Sequence, residues 1–174
     1  MPDLTPFSYA VLALVGRRGA GPNDLARMLR EGQMVWASAR SQAFSEPKRL
    51  ERLGYLASTR EPGRTTARTH YTLTEQGERA LAAWVAEPAH LSRVQAEPIL
   101  KLLAADLTDD ATVLESLRAL RGQLDEAAAT LDAVEARAGE FGDRARYIRL
   151  NHAFARAILR AHEELLEAAE RELS

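Results

Sequence analysis

The sequence predicts a mainly α-helical protein in two parts. Residues 1–88 are expected to form three helices, a two-stranded β-hairpin and a fourth helix, and residues 91–174 an all-helical domain with long, coiled-coil-like helices. Three observations lead to this fold class: helical spacing of apolar residues near the N-terminus, two β-prone runs around a Pro-Gly pair, and a 4-3 apolar repeat in the second half. A chain of 174 residues is long enough for two small domains.

The first two helices are indicated by their ends. Thr5 offers a capping hydroxyl and Pro6 a proline at the first helical position, and Gly16 ends the apolar pattern that follows. The second helix opens at residues 21–24 and ends at Gly32. Apolar residues recur at helical spacing in both, so each helix is expected to bury one face.

The third helix, predicted from about Ser38 to Leu53, has two contrasting faces. At about 100° per residue, one face is apolar or small and comprises Ala43, Phe44, Pro47, Leu50 and Gly54. The opposite face is small, polar or basic and comprises Ser41, Gln42, Ser45, Lys48, Arg49 and Arg52. Because no acidic residue lies near the centre of the second face, it suits a negatively charged partner.

A β-hairpin follows the third helix. Residues 55–60 and 68–73 are β-prone and flank a loop that contains a Pro-Gly pair. Basic residues lie in the loop and at the start of the second strand. A fourth helix is predicted to begin at Thr74 and to run to Pro88.

The second half carries a heptad-like apolar repeat. Positions with strict 4-3 spacing are Val113, Leu117, Leu120, Leu124, Ala127, Leu131, Val134 and Ala138. After a turn at 138–143, similar spacing resumes at Ile148, Asn151, Ala155, Ile158, His162, Leu165 and Ala169. Such seams support packing between helices, and they allow either a helical hairpin within one chain or pairing with a second chain.

Charge divides unevenly along the chain. The formal net charge is −2, but residues 1–88 carry 12 Lys and Arg against 9 Asp and Glu, whereas residues 89–174 carry 11 against 16. From Ser38 to His70 there are seven basic residues and three acidic ones. Since surface charges are screened over roughly 8 Å at physiological salt, this local excess matters more than the total. The first half is therefore suited to an anionic partner.

Several classes of site lack the residues that they need. The chain contains no cysteine, which excludes disulfides, thiolate zinc sites and cysteine nucleophiles. None of its four histidines has zinc-protease spacing, and neither a glycine-rich phosphate loop nor a nucleophile elbow occurs. The apolar run at 9–15 is too short to span a bilayer. We therefore expect no enzyme activity, no metal, no cofactor and no membrane partner, and a cytoplasmic location.

The order of the parts is that of a winged helix-turn-helix domain. In this geometry the later helix of the pair enters the major groove of DNA, where base edges offer donors and acceptors. A charged helix face alone is more often simply solvated, but its place in this motif beside a basic wing favours double-stranded DNA as the partner. The predicted DNA-binding residues are Arg40, Ser41, Gln42, Ser45, Lys48, Arg49, Arg64, Thr66 and Arg68.

Three stretches resemble the PadR family of transcriptional regulators. Residues 41–56 resemble its recognition-helix signature, and residues 71–77 the end of its wing and the start of its next helix. Residues 97–103 resemble the opening of the C-terminal domain in its longer, virulence-activator-like members. The resemblance implies a homodimer that binds a palindromic operator, usually as a repressor, and is often released by a small molecule. Two positions depart from the family's pattern: Phe44 stands where tyrosine is frequent, and Pro47 lies inside the recognition helix, where proline removes one backbone hydrogen bond.

We expect the helical half to mediate dimerisation, because a two-fold operator requires a two-fold protein. The predicted dimerisation residues are Leu117, Leu124, Leu131, Ile158 and Leu165. Trp36 and Trp84 could line a site for a small aromatic effector, although tryptophans more often belong to a core or an interface.

Two other functions are compatible with the sequence. A winged helix can serve as a protein-interaction adaptor, but such modules usually lose the basic helix face that this chain keeps. A ligand-sensing scaffold that captures aromatic compounds is compatible with DNA binding. Salt-dependent binding to duplex DNA separates the adaptor from a DNA-binding regulator, and tryptophan quenching tests the scaffold.

Overall fold

In the computed structural model, which describes residues 4–32, 41–62, 67–91 and 95–174, the chain divides into two compact units. The first unit is Met1–His90 and the second is Leu91–Ser174. Within the described residues, the first consists of four helices and one β-hairpin, and the second is entirely helical. This is the mainly α-helical winged-helix architecture that the sequence predicts.

The first unit comprises α1 (Pro6–Val15), α2 (Pro22–Glu31), α3 (Gln42–Arg52), β1 (Leu56–Glu61), β2 (Arg68–Leu73) and α4 (Glu75–Ala86). The predicted ends of α1 and α2 are confirmed: Thr5 caps α1 in a capping box with Ser8, and α2 begins with proline and ends before Gly32. The start predicted for the third helix, near Ser38, lies outside the described residues, and the described helix begins at Gln42.

The two strands form an antiparallel wing that pairs Leu56 with Leu73 at one end and Glu61 with Arg68 at the other. One further residue joins it, because Ala20 exchanges two backbone hydrogen bonds of 2.9 Å with Tyr71 of β2. A single paired residue carries no period-2 pattern, so the sequence does not reveal this bridge. The bridge ties the segment between α1 and α2 to the wing.

The core of the first unit lies where α1, α2, α3 and the wing meet. Leu12, Leu25 and Leu50 are fully buried there, and Tyr71 packs with them. Gly54 follows α3 with φ +82°, in the left-handed region that favours glycine, and turns the chain into β1. This packing directs one face of α3 inward and leaves the other in solvent.

Gly77 allows the start of α4 to lie directly against the backbone before β1. Its N–H donates to the capping hydroxyl of Thr74 at 3.1 Å, and a Cβ added at Gly77 would lie 2.1 Å from the Tyr55 carbonyl oxygen. We expect Gly77→Ala to lower the free energy of unfolding by about 1–3 kcal/mol, because backbone must shift to admit the methyl group.

Gly122→Ala is the control for this prediction. A Cβ at Gly122, inside a helix of the second unit, would meet no atom within 4 Å. The free energy of unfolding of the Gly122→Ala variant should equal that of the wild type or exceed it by up to about 1 kcal/mol. Urea denaturation followed by circular dichroism measures both variants, and equal stability of the two would contradict the close approach at Gly77.

The second unit comprises α5 (Glu97–Leu103), a 3₁₀ turn (Ala105–Leu107), α6 (Asp110–Arg118), α7 (Leu120–Ala136), a 3₁₀ segment (Ala138–Arg144) and α8 (Ala145–Leu173). The long helix predicted over the repeat at 113–138 is divided at Ala119, between α6 and α7. Within the described ranges, no helix is both long and apolar enough to cross a lipid bilayer.

α8 folds back along α6 and α7 of the same chain. Glu170 near its end contacts Arg118 Nε at 3.0 Å and Arg121 Nη2 at 2.7 Å through its two carboxylate oxygens. Arg156, nearer the start of α8, pairs with Glu135 of α7. The heptads therefore build a helical hairpin within one chain, the first of the two arrangements that their spacing allows.

The structure places the predicted dimerisation residues of α6 and α7 inside this hairpin. Leu117 is 2% exposed and Leu131 is 7% exposed, whereas Leu124 is half-buried. Leu117 packs in a cluster with Leu166 of α8. The side chains of Leu117 and Leu131 are thus used in the chain's own core, which corrects their assignment to a partner surface.

On α8, the buried face coincides only in part with the predicted seam, of which Ala155 and Ala169 are buried. Leu159 and Leu166 are buried, whereas Ile158 and Leu165 of the predicted seam are half-buried. Leu159 and Leu166 each directly follow a residue of the predicted seam, so the spacing alone fits either face. Contact with α6 and α7 decides between them.

Candidate nucleic-acid interface

The outward face of α3 carries a stripe of polar and basic side chains. Ser41, Ser45, Lys48 and Arg52 stand at i, i+4, i+7 and i+11, and all four are exposed. This spacing puts them in one line along the helix, on the side opposite the buried Leu50. We call these four residues the α3 stripe. It unites three of the predicted DNA-binding residues with Arg52, which its spacing alone could have added to the prediction.

Arg49, predicted to share this face, lies at its edge and is bound within the domain. Its Nε donates to Glu46 Oε2 at 3.0 Å, and its Nη2 donates to Ser8 Oγ at 3.2 Å. The buried Ser8 hydroxyl in turn donates to Glu46 Oε1 at 2.7 Å. Arg49 thus links α3 to the start of α1 through these hydrogen bonds. Because the Glu46 carboxylate neutralises its guanidinium, Arg49 adds little net charge to the outward surface.

Phe44 departs from its predicted position in the core, since it is 38% exposed. The buried arc of α3 is formed by Ala43, Pro47 and Leu50, and Phe44 lies about 100° from Ala43 around the helix. Pro47 is buried on the core side, as predicted, and α3 continues through it. Gln42 is exposed at the start of the helix.

The wing presents one of its faces to α3. Ser58 and Arg60 are alternate residues of β1, and they pair across the hairpin with Tyr71 and Thr69, so all four lie on the same face. This face and the α3 stripe border an open cleft of about 600 Å³. The helix lines the cleft with Ser45, Lys48, Glu51 and Arg52.

Three cations and one carboxylate line the cleft. Lys48, Arg52 and Arg60 have no ion-pair partner among the residues that the structure describes. The carboxylate, Glu51, accepts a 2.5 Å hydrogen bond from the Ser58 hydroxyl. Burial and then the Glu51 carboxylate raise the pKa of Tyr71 above its ordinary value of 10.0, so the phenol stays protonated at neutral pH. The lining therefore carries a net charge of about +2.

The remaining predicted wing residues lie elsewhere or are not described. Arg68 Nη2 lies 3.3 Å from Glu61 Oε2, and the strand register puts both residues on the hairpin face opposite the cleft. Arg40, Arg64 and Thr66 lie outside the described residues.

Of the two tryptophans predicted for an effector site, Trp84 is described and Trp36 is not. Trp84 of α4 stacks on Tyr9 of α1, with ring centroids 4.7 Å apart and an interplanar angle of 6°. One face of its indole is thus used in packing within the first unit. In the part of the chain that the structure describes, no group of three or more His, Asp or Glu side chains could hold a metal ion.

The second unit exposes an apolar surface on α8. Tyr147, Leu150 and Phe154 are 55%, 69% and 55% exposed, and helical geometry places them within about 60° of one another. We call these three residues the α8 patch. It lies on a different side of the helix from the buried Leu159 and Leu166. Clusters of large exposed apolar side chains usually mark an interaction surface.

No protein-family model matches the chain, and no curated protein matches it. Solved structures nevertheless share its fold. PadR of Bacillus subtilis in complex with operator DNA is 20% identical over 97% of this chain and 98% of its own, with a TM-score of 0.74. A PadR-like transcriptional regulator from Bacillus cereus is 11% identical over 97% and 98%, with a TM-score of 0.73.

Two further comparisons extend this likeness. The Vibrio cholerae virulence activator AphA is 19% identical over 95% of each chain, with a TM-score of 0.66. Bacillus subtilis PadR in complex with p-coumaric acid is 20% identical over 94% of this chain and 98% of its own, with a TM-score of 0.59. The chain thus has the fold of PadR-like regulators along nearly its whole length.

Proposed function

We propose that this chain is a PadR-like transcriptional regulator that binds double-stranded DNA through residues 1–88. The observation that carries the proposal is the α3 stripe, which combines exposed hydroxyl and cationic side chains without an acidic residue in its line. Serine hydroxyls can donate to or accept from base edges, and Lys48 can bind guanine or phosphate. The shared fold of PadR in complex with operator DNA supports this use of the domain.

The proposed regulator is a homodimer that binds a palindromic operator, with residues 91–174 as the dimerisation domain. A palindrome repeats the same bases about one helical turn, roughly 34 Å, apart, so two copies of α3 related by a two-fold axis are needed. The α8 patch is the surface that we assign to pairing, because Leu117 and Leu131 pack within the chain. Ile158 and Leu165 continue the line of Phe154 along α8, at i+4 and i+11, and they extend the same surface.

The proposed regulator acts as a repressor in the cytoplasm and is released from its operator by a small aromatic effector. The shared fold of PadR in complex with p-coumaric acid supports an aromatic compound as the effector. Titration with p-coumaric acid tests the proposal. We expect it to quench tryptophan emission and to dissociate the operator complex.

Lys48→Ala is expected to weaken operator binding by about 1–3 kcal/mol, because the Lys48 ammonium is exposed within the α3 stripe, where it can bind a guanine or a backbone phosphate. Fluorescence anisotropy measures the affinity for a duplex from upstream of the protein's own gene and for a scrambled duplex, across a range of salt concentrations. Unchanged affinity of Lys48→Ala would remove this side chain from the interface.

Arg79→Ala is the matched control for loss of an exposed cation. Arg79 lies on α4, is not among the residues that line the cleft, and pairs with Glu75 at 2.5 Å. It should bind the operator as the wild type does. A wild-type protein that binds no duplex even at low salt would overturn the proposed function and favour a protein-interaction adaptor.

A further inference from the structure

We propose that the cleft between α3 and the wing binds one phosphate of the DNA backbone, held by Lys48, Arg52 and Arg60. The inference rests on the proposed DNA-binding function and specifies which side chains contact the DNA backbone. Arg52 and Arg60 do not belong to the DNA-binding set predicted from the sequence.

The geometry of the cleft brings cations together from two elements. Lys48 and Arg52 are one turn apart on α3, and Arg60 comes from the facing side of the wing. Hydroxyls of Ser45 and Thr69 line the same space. Arginine, lysine and hydroxyl side chains are the groups that proteins use for phosphate oxygens, and such contacts set the register of a protein on the duplex.

The three cations of the cleft differ from the neighbouring arginines in their ion pairing. Arg49 is neutralised by Glu46, and Arg68 by Glu61, whereas Lys48, Arg52 and Arg60 have no ionic partner in the described ranges. The one carboxylate of the cleft, Glu51, is bound by Ser58 and leaves an excess of about two positive charges. Like charges that share a cleft repel one another, and an anion between them relieves this repulsion.

The openness of the cleft favours a polymer over a free anion. Its volume of about 600 Å³ is much larger than one phosphate needs, and one wall belongs to the helix proposed for the major groove. A strand that borders that groove can run along the cleft and place a phosphodiester between the walls. Tyr71, whose phenol is protonated at neutral pH, also lines the cleft.

The test compares the salt dependence of DNA binding by Arg52→Ala, Arg60→Ala and the wild type. Each variant is expected to lower the slope of log K against log salt by about 0.9, because one cation fewer neutralises a phosphate. Operator and scrambled duplex should lose affinity by the same factor, since a phosphate contact carries no sequence information. Arg52→Lys should keep the wild-type slope, and Arg79→Ala, whose cation is paired on α4, serves as the control.

Three outcomes would overturn the inference. If the wild type binds duplex and both variants keep its slope and affinity, the cleft holds no phosphate, although the proposed function stands. Loss confined to the operator would instead assign these arginines to base contacts. A wild type that binds no duplex at all fails the proposed function itself, and the inference with it.

Discussion

Phe154→Asp is expected to turn the proposed dimer into a monomer and to weaken operator binding by about 100-fold or more. A two-fold interface contains each residue twice, so the substitution would place two carboxylates in a surface that dimerisation removes from water. Without the dimer, the second half-site must be bound by an independent molecule at its bulk concentration, rather than by a tethered domain. Light scattering on a size-exclusion column measures the oligomeric state, and anisotropy measures operator affinity.

The monomer itself should stay folded in this variant. Phe154 is 55% exposed in the single chain, so an aspartate there is solvated, whereas a charge at Leu117 would enter the core of the second unit. Ala153→Asp is the matched control, because Ala153 is exposed on the same helix about 100° from Phe154. An intact Phe154→Asp dimer would move the interface away from the α8 patch. A monomer with wild-type operator affinity would show that the half-sites are bound independently.

Leu50→Ala is expected to lower the free energy of unfolding of the first unit by about 2–5 kcal/mol. Leu50 is fully buried and packs in the cluster that contains Leu12, Leu25 and Tyr71. Its removal leaves a cavity between α3 and the rest of the core, and the surrounding elements can close it only in part. Both tryptophans belong to the first unit, so urea denaturation followed by tryptophan fluorescence measures the effect.

Val85→Ala is the control within the same unit. Val85 lies on α4 and is 70% exposed, so its truncation should change the free energy of unfolding by less than about 0.5 kcal/mol. Because Leu50 holds α3 in place from the inside, operator binding should fall as the unfolded fraction of Leu50→Ala rises. A Leu50→Ala variant as stable as Val85→Ala would contradict the packing described for α3.

Elements whose signals are local follow from the amino-acid sequence without the structure. Thr5 and Thr74 cap helices through residues only three positions away, and the β-prone runs around the Pro-Gly pair meet as a hairpin. The inward and outward faces of α3 also follow from helical period, because Leu50 and Lys48 differ by only two positions but point to opposite sides. Phe44, which the sequence assigns to the apolar face, lies at the margin of the buried arc and is exposed.

Contacts between residues distant in the sequence could not be predicted from it and are shown only by the tertiary structure. Arg49 and Arg52 look equivalent in the sequence, but Arg49 meets Ser8, 41 residues away, together with Glu46, whereas Arg52 faces the open cleft. Likewise, Ile158 and Leu159 both fit an apolar seam, and packing against α6 and α7 buries Leu159 more deeply. Periodicity tells which side of an element is apolar or charged. Which side chain on that side is buried, paired or free depends on what another part of the chain brings against it.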